Sequence, residues 1–394
     1  MKRKLGLFLS SNPSQGGTCQ YSITFLKAVK ELSVRYTVVV AYIVDSWEGT
    51  LTEHGIAGKK LPYPYYARLI ALIWRELGLP VNWWSFLFSW WLPIIKQIRA
   101  ECCDLWLFPA QDCWGYQACV PSLVSILDLM HRYERSFPEV SQCGRFKRLE
   151  RHYQSICRAA KGIIVDSEIG RYQVLESYHP DPSNVFSLPY VPPEYLFENN
   201  VCEPLTEMDL PAKYLFYPAQ FWAHKNHDGL LKAIAALVND IPDIHLILVG
   251  EAKGAYDSIM KLIVKLNLSS RVTHLGYVKD VNMRTLYRHA RALVMPSFFG
   301  PTNIPPLEAM ALGCPVAVAN NYAMPEQVGD AGMTFDPRSV NELADVIKIL
   351  WTDDAVCREL SRRGLERSKL WTQEHFNRNL EQIISTILYA VRAT

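Results

Sequence analysis

Two consecutive α/β units, each a parallel sheet with helices on both faces, are what this sequence predicts. Three observations carry that expectation. The chain has 394 residues, more than one domain of roughly 100–200 residues accommodates. Short apolar runs rich in β-branched and aromatic residues alternate with stretches whose apolar residues recur every three or four positions, the signature of strands and amphipathic helices laid alternately. The alternation stops at Pro189-Tyr190-Val191-Pro192-Pro193 and a polar run to Pro211, then restarts, and prolines so placed break regular structure. Domains over 1–195 and 196–372 follow, with a helix from Gln373 to the end that crosses back to the first.

In the first half the strands are read at Leu5–Leu9, Thr37–Val44, Asp104–Phe108, Ser122–Leu127, Gly162–Asp166 and Val185–Leu188. The clearest helices are Gln20–Glu31, Arg145–Arg158 and Glu168–Ser177. In the second half, strands at Tyr214–Tyr217, His245–Val249, Val272–Leu275, Ala292–Met295 and Val316–Ala319 alternate with helices at Asn226–Val238, Tyr256–Leu266, Met283–His289 and Ile304–Leu312. Helices fill the chain from Val340 onward. In doubly wound sheets ligands bind outside the carboxyl ends of the strands, so the loops just after strands are where chemistry is sought. Two such domains facing each other enclose a cleft.

Composition narrows the classes. Lys plus Arg number 41 and Asp plus Glu 39, a net charge of +2, unlike the one-sided basic footprint of a nucleic-acid binder. Apolar residues make up 49%, enough for full cores. The basic start Met1-Lys2-Arg3-Lys4 and the run Leu5-Gly6-Leu7-Phe8-Leu9 imitate a secretory signal but stop at Ser10, too short for its apolar core. Ten cysteines lack zinc-site spacing and read as free thiols in a reducing cytosol. No apolar stretch is long enough to span a bilayer.

Several loops carry candidate chemistry. After Met295 comes Pro296-Ser297-Phe298-Phe299-Gly300-Pro301-Thr302-Asn303, then Ile304-Pro305-Pro306-Leu307-Glu308. Asn303 suits an N-cap and the prolines suit a first helical turn. The backbone N–H groups of Thr302, Asn303 and Ile304 then face an anion. Glu308 fits two readings equally: a carboxylate accepting from a ribose diol, or one complementing the helix dipole. Lys225, after the strand ending at Tyr217, is either a diphosphate contact at a helix N-terminus or a solvated surface lysine. Asn226 is an alternative cap, and His224 and His227 read as structural. Gly16 and Gly17 in Ser14-Gln15-Gly16-Gly17-Thr18 allow close backbone approach, but without a third glycine they depart from the dinucleotide fingerprint. His131, following a strand, is by itself more often a satisfied structural histidine than a cleft one.

The run Pro305-Pro306-Leu307-Glu308-Ala309-Met310-Ala311-Leu312-Gly313-Cys314-Pro315-Val316 resembles the donor-binding signature of the retaining glycosyltransferases of family four, group 1 type, with the GT-B fold. That resemblance implies a nucleotide-sugar donor held mostly by the second domain, with Glu308 on the ribose. The family's first glutamate falls on Gly300, so its sugar contact does not carry over. Lys225 is similar to the lysine of the family's phosphate-binding Arg/Lys pair, whose arginine position is Gln220 here. Val278, in Gly276-Tyr277-Val278-Lys279, matches a loop that reads the base through main-chain groups, and Gly250-Glu251 resembles a strand-end loop near the nucleotide. Leu127-Asp128-Leu129-Met130-His131 with Phe137-Pro138-Glu139 resembles the family's H-D-L and F-P-E stretch. Leu127 replaces the first histidine, leaving His131 as the cleft histidine and Asp128 to orient loop or substrate.

The resemblance therefore implies a retaining hexosyltransferase, of mannose or rhamnose class, acting on a glycan or lipid-linked hydroxyl. No D-x-D motif occurs, and neither metal nor cofactor is expected. The competing readings are an inactive nucleotide-sugar-binding subunit, motivated by Gly300, Gln220 and Leu127, and a sugar-nucleotide epimerase or hydrolase. The cluster Trp83-Trp84-Ser85-Phe86-Leu87-Phe88-Ser89-Trp90-Trp91 lies outside every donor motif. It is read either as buried helices or as peripheral contact at the inner face of a membrane, where Trp is favoured, with the protein otherwise cytoplasmic.

Overall fold

The computed structural model describes residues 2–12, 16–77, 83–84, 87, 91–197, 210–300 and 302–393. Among these residues the chain forms two compact units. The first holds residues 1–135, 140–190 and 373–394; the second holds 136–139 and 191–372.

The first unit is built on seven strands: β1 (Lys4–Leu9), β2 (Thr37–Tyr42), β3 (Gly58–Lys60), β4 (Leu105–Phe108), β5 (Ser122–Ser125), β6 (Gly162–Val165) and β7 (Val185–Ser187). They lie in the order β3-β2-β1-β4-β5-β6-β7, every pair parallel. Parallel strands covered on both faces read as continuous apolar runs, and Leu5, Leu7, Phe8, Leu9 and all of Leu105–Phe108 are buried. Gly6, also buried in β1, carries no side chain: a Cβ there would stand 2.4 Å from the Trp106 indole, so glycine leaves room for the fully buried Trp106.

The helix Gln373–Ala393 belongs to this unit. Phe376 packs edge-on against Tyr21 and Phe25 of the helix Gly16–Leu32. Gln373 donates to the Thr24 carbonyl, and Asn377 to Glu31. Apolar contact and hydrogen bonds thus fix the same helix face.

The second unit has six strands: β8 (Leu215–Pro218), β9 (Leu246–Val249), β10 (Val272–His274), β11 (Ala292–Met295), β12 (Val316–Ala319) and β13 (Gly332–Phe335). Their order is β10-β9-β8-β11-β12-β13, again all parallel. Strand order reverses between β1 and β4 in the first sheet and between β8 and β11 in the second. Those are the switch points where a crevice opens at the carboxyl ends.

Two boundaries differ from the sequence expectation. Residues 191–195 join the second unit rather than the first, because Leu196 is fully buried and Tyr195 hydrogen-bonds to Glu308. Residues 136–139 also join it: the Phe137 ring stacks on Phe298 at 5.6 Å, and Glu139 bonds to His224. The helix expected from Gln20 begins at Gly16, and the short edge strands β3 and β13 were not expected.

Candidate functional site

The second unit gathers its candidate residues at the carboxyl ends of four adjacent strands. β8 ends at Pro218, and the chain turns through Ala223–Lys225 before the helix His227–Leu237. Asn226, at φ 55°, caps that helix: its side chain accepts from Gly229 N at 3.1 Å and donates to the carbonyls of Pro296 and Pro337. A buried cap bonded on three sides fixes the backbone immediately after Lys225. From there the Lys225 Nζ reaches Asn303 Oδ1 at 3.3 Å, joining the β8 and β11 loops across the switch point.

Around that contact the loops are tied to one another. Ala219 N donates to Val249 O and Gly250 N to Gly276 O. Gly250, at φ 152°, has Ala219 O only 2.2 Å from where a Cβ would stand, so the loops after β8 and β9 meet backbone to backbone. Val278 in the β10 loop is buried, and its neighbour Tyr277 is exposed. Burial pushes the His227 imidazole down to about 3, with the nearby Lys225 charge adding to it. The ring stacks on Phe221 at 4.4 Å, so His227 is a neutral packing residue.

Glu308 lies in the helix Ile304–Ala311 and is 6% exposed. Its Oε1 accepts from the Tyr195 hydroxyl at 2.7 Å and its Oε2 from the Tyr287 hydroxyl at 2.5 Å. Burying a carboxylate is costly unless donors surround it, and these tyrosines supply them.

Three expectations need correction here. Asn303 does not cap its helix with its side chain, which instead faces Lys225, the Gly300 carbonyl and Met324. The Asn303 backbone N–H is not presented to a ligand, since it donates to Gln327 Oε1 at 3.1 Å while Gln327 Nε2 donates to Asn303 O. Gln220 is engaged at both ends, its Oε1 accepting from Trp222 Nε1 at 2.9 Å and its Nε2 donating to Glu251 at 3.4 Å. Gly300 has a local reason for its departure from glutamate: φ is 138°, and a Cβ would meet the Asn303 amide at 2.5 Å.

In the first unit, Gly16 and Gly17 open the helix Gly16–Leu32, with Gly16 at φ 55°. Asp128 accepts from Met130 N at 3.1 Å, closing a local turn. His131 is not in an open position: it is 1% exposed, its Nε2 is 3.0 Å from the Tyr178 hydroxyl, and its ring stacks on Tyr153. Burial lowers its pKa against the pull of Glu150. A neutral, enclosed imidazole makes it a packing residue here. Leu127 is buried in its turn.

Two arrangements were missed. Ser10, after β1, donates to Asp112, after β4, at 2.5 Å, and burial pushes the Asp112 carboxyl up to about 6 against that bond. Both sit at the first sheet's switch point, so strand-end position was the available signal. Glu139 accepts from His224 N and from its Nδ1, both at 3.2 Å. Although burial opposes it, these bonds bring the Glu139 carboxyl down to about 2.

Of the aromatic cluster, residues 85–86 and 88–90 lie outside the described residues. Trp84 is fully buried and donates to Gln117 O at 3.0 Å, as the packed reading expects. Trp83 and Trp91 are exposed.

Comparison with known proteins agrees with this architecture. The Anabaena protein Alr3699/HepE, solved in complex with UDP and glucose, matches with TM-score 0.75 at 17% identity, over 97% of this chain and 99% of that one. Paired parallel sheets of this order, so matched, define the GT-B fold of two Rossmann-like domains. Residues 206–367 match the family of glycosyl transferases group 1. The chain is 27% identical over 270 residues to the O-antigen chain mannosyltransferase B of Escherichia coli, 63% of this chain and 69% of that protein. It is also 27% identical over 162 residues to the serotype-specific mannosyltransferase WbdA of Escherichia coli, 40% of this chain and 20% of that longer protein.

Proposed function

We propose that the chain is a retaining, metal-independent glycosyltransferase moving a mannose- or rhamnose-class hexose from a nucleoside-diphosphate sugar to a hydroxyl of a glycan or lipid-linked acceptor. The observation that carries this reading is the Lys225–Asn303 contact at the β8/β11 switch point, with Glu308 on the following helix. Lys225 sets one positive charge where the diphosphate develops negative charge as the bond from the sugar's anomeric carbon breaks. Glu308 takes the ribose. In the same-face reaction the acceptor oxygen bonds to the anomeric carbon, the nucleoside diphosphate departs, and a departing phosphate oxygen takes the hydroxyl proton. No protein nucleophile is needed. Similarity to the two mannosyltransferases supports the sugar class and a glycan acceptor.

The test is incubation with GDP-, UDP- and dTDP-sugars, with and without a mannan-type acceptor, following nucleoside diphosphate release. Release that depends on the acceptor supports transfer. Acceptor-independent turnover would instead make the chain a hydrolase or epimerase, and donor binding without release would make it a partner subunit. Leu127, Gly300 and the engaged Gln220 keep that last outcome in view.

A peripheral membrane location belongs to the same reading. The helix Tyr65–Leu77 buries Ala67, Ala71 and Trp74, while Tyr65, Tyr66, Leu69, Leu72, Ile73 and Leu77 are exposed. Trp91 is 82% exposed. So many large apolar side chains on one helix suit a bilayer interface, and no described helix is long and apolar enough to cross one. Co-sedimentation with phosphatidylglycerol vesicles is expected for the native chain and reduced at least about threefold by Leu69→Ser with Ile73→Ser. Equal, negligible binding by both proteins rules the contact out.

A further inference from the structure

We propose that Tyr195 and Tyr287 are positioning residues for ribose recognition, holding the two oxygens of Glu308 side by side so that the carboxylate meets the vicinal diol of a ribonucleoside diphosphate. The inference rests on the donor-site reading above and deepens it.

A glutamate carboxylate turns through a broad terminal torsion, so an unheld one presents no fixed plane. Here each oxygen has its own donor. Tyr287, on the helix Asp280–His289, is fully buried and holds Oε2 at 2.5 Å. Tyr195, half-buried in the short turn Glu194–Leu196, holds Oε1 at 2.7 Å. Hydroxyl-to-carboxylate bonds of this length are charge-assisted and directional. Burial, and then the Glu308 charge, keeps the Tyr287 hydroxyl far above its ordinary range, so it stays a donor. Two donors from elements 113 and 21 residues away in sequence over-determine the carboxylate plane, and preorganisation of that kind increases affinity by removing an ordering cost. A ribose diol needs both oxygens in one plane; a 2′-deoxyribose can use only one.

The experiment measures the dissociation constants of UDP, 2′-deoxy-UDP, GDP, 2′-deoxy-GDP and pyrophosphate by calorimetry. The proteins are the native chain and the variants Glu308→Ala, Tyr195→Phe and Tyr287→Phe, with Tm recorded for each. The native chain is expected to prefer the ribo form of its nucleotide at least about tenfold, the scale of one hydrogen bond to a charged group. Each Tyr→Phe variant is expected to narrow that preference to within about threefold while pyrophosphate affinity holds; Tm is expected to fall by a few degrees, because each variant removes one donor from a buried carboxylate. If both tyrosine variants keep the native preference while Glu308→Ala loses it, the inference fails and the donor-site reading stands. If Glu308→Ala keeps the native preference, or the native chain shows none, both fail. Loss of pyrophosphate binding together with a lowered Tm in Tyr195→Phe would show a packing role instead and also overturn the inference. Should Tyr287→Phe not fold, the half-buried Tyr195→Phe carries the test.

Discussion

Lys225→Ala and Glu308→Ala are each expected to cut sugar transfer at least about tenfold, about 1.4 kcal/mol of transition-state stabilisation. The two losses have different origins. In the proposed donor site Lys225 supplies side-chain charge beside the departing diphosphate, while the neighbouring Gln220 is neutral and already bonded to Trp222 and Glu251. Its removal is therefore expected to lower kcat more than it raises the donor KM, since charge on the diphosphate grows toward the transition state. On the proposed reading Glu308 contacts a part of the donor that does not react, so Glu308→Ala is expected to act mainly on the donor KM. Steady-state nucleoside diphosphate release over a range of donor concentrations separates the two patterns. Near-native rates in both variants would remove the donor site from this end of the sheet.

The positions of Lys225, Asn303 and Glu308 near strand ends and helix starts were legible in the sequence, but capping rules misread Asn303, whose side chain makes no cap, and local position alone left Lys225 and Glu308 open between a donor contact and a structural role. Tyr195 and Tyr287 were not legible. One lies in a proline-rich stretch that reads as linker and the other in mid-helix, and what they do appears only when the fold brings them onto Glu308. His131 failed for the complementary reason. Its position after β5 suggested exposure, but Tyr153 and Tyr178, from the helices Arg145–Ala159 and Glu168–Tyr178, enclose it. Among the elements, β3 escaped because its three residues are all exposed, so no apolar alternation marks it. It is placed by register, Val40 to Gly58 and Tyr42 to Lys60. The start of the first helix escaped because two glycines and a preceding proline argue against helix locally, whereas burial of Cys19 and Tyr21 one turn further on pulls it in.

Gly250→Ala is expected to be the most disruptive single-atom addition in the donor unit. At φ 152° an L side chain is strained whatever the space, and here there is no space. The new Cβ would meet Ala219 O at 2.2 Å, Ala219 C at 2.6 Å and Gln220 N at 2.9 Å. All three are backbone atoms, so no rotamer change relieves them and the loop after β8 must shift as a body. Strain and overpacking of this kind cost at least about 2 kcal/mol, expected as a fall in Tm of several degrees. The functional effect is expected to be larger than the thermal one. The displaced loop leads directly into the turn carrying Lys225, and positioning errors of about 1 Å near a reacting centre can cost a hundredfold in rate. A thermal-shift titration with UDP and GDP beside a transfer assay checks both parts. Native Tm with native nucleotide binding would show that the β8 and β9 loops tolerate separation, and that their backbone contact does not set the position of Lys225.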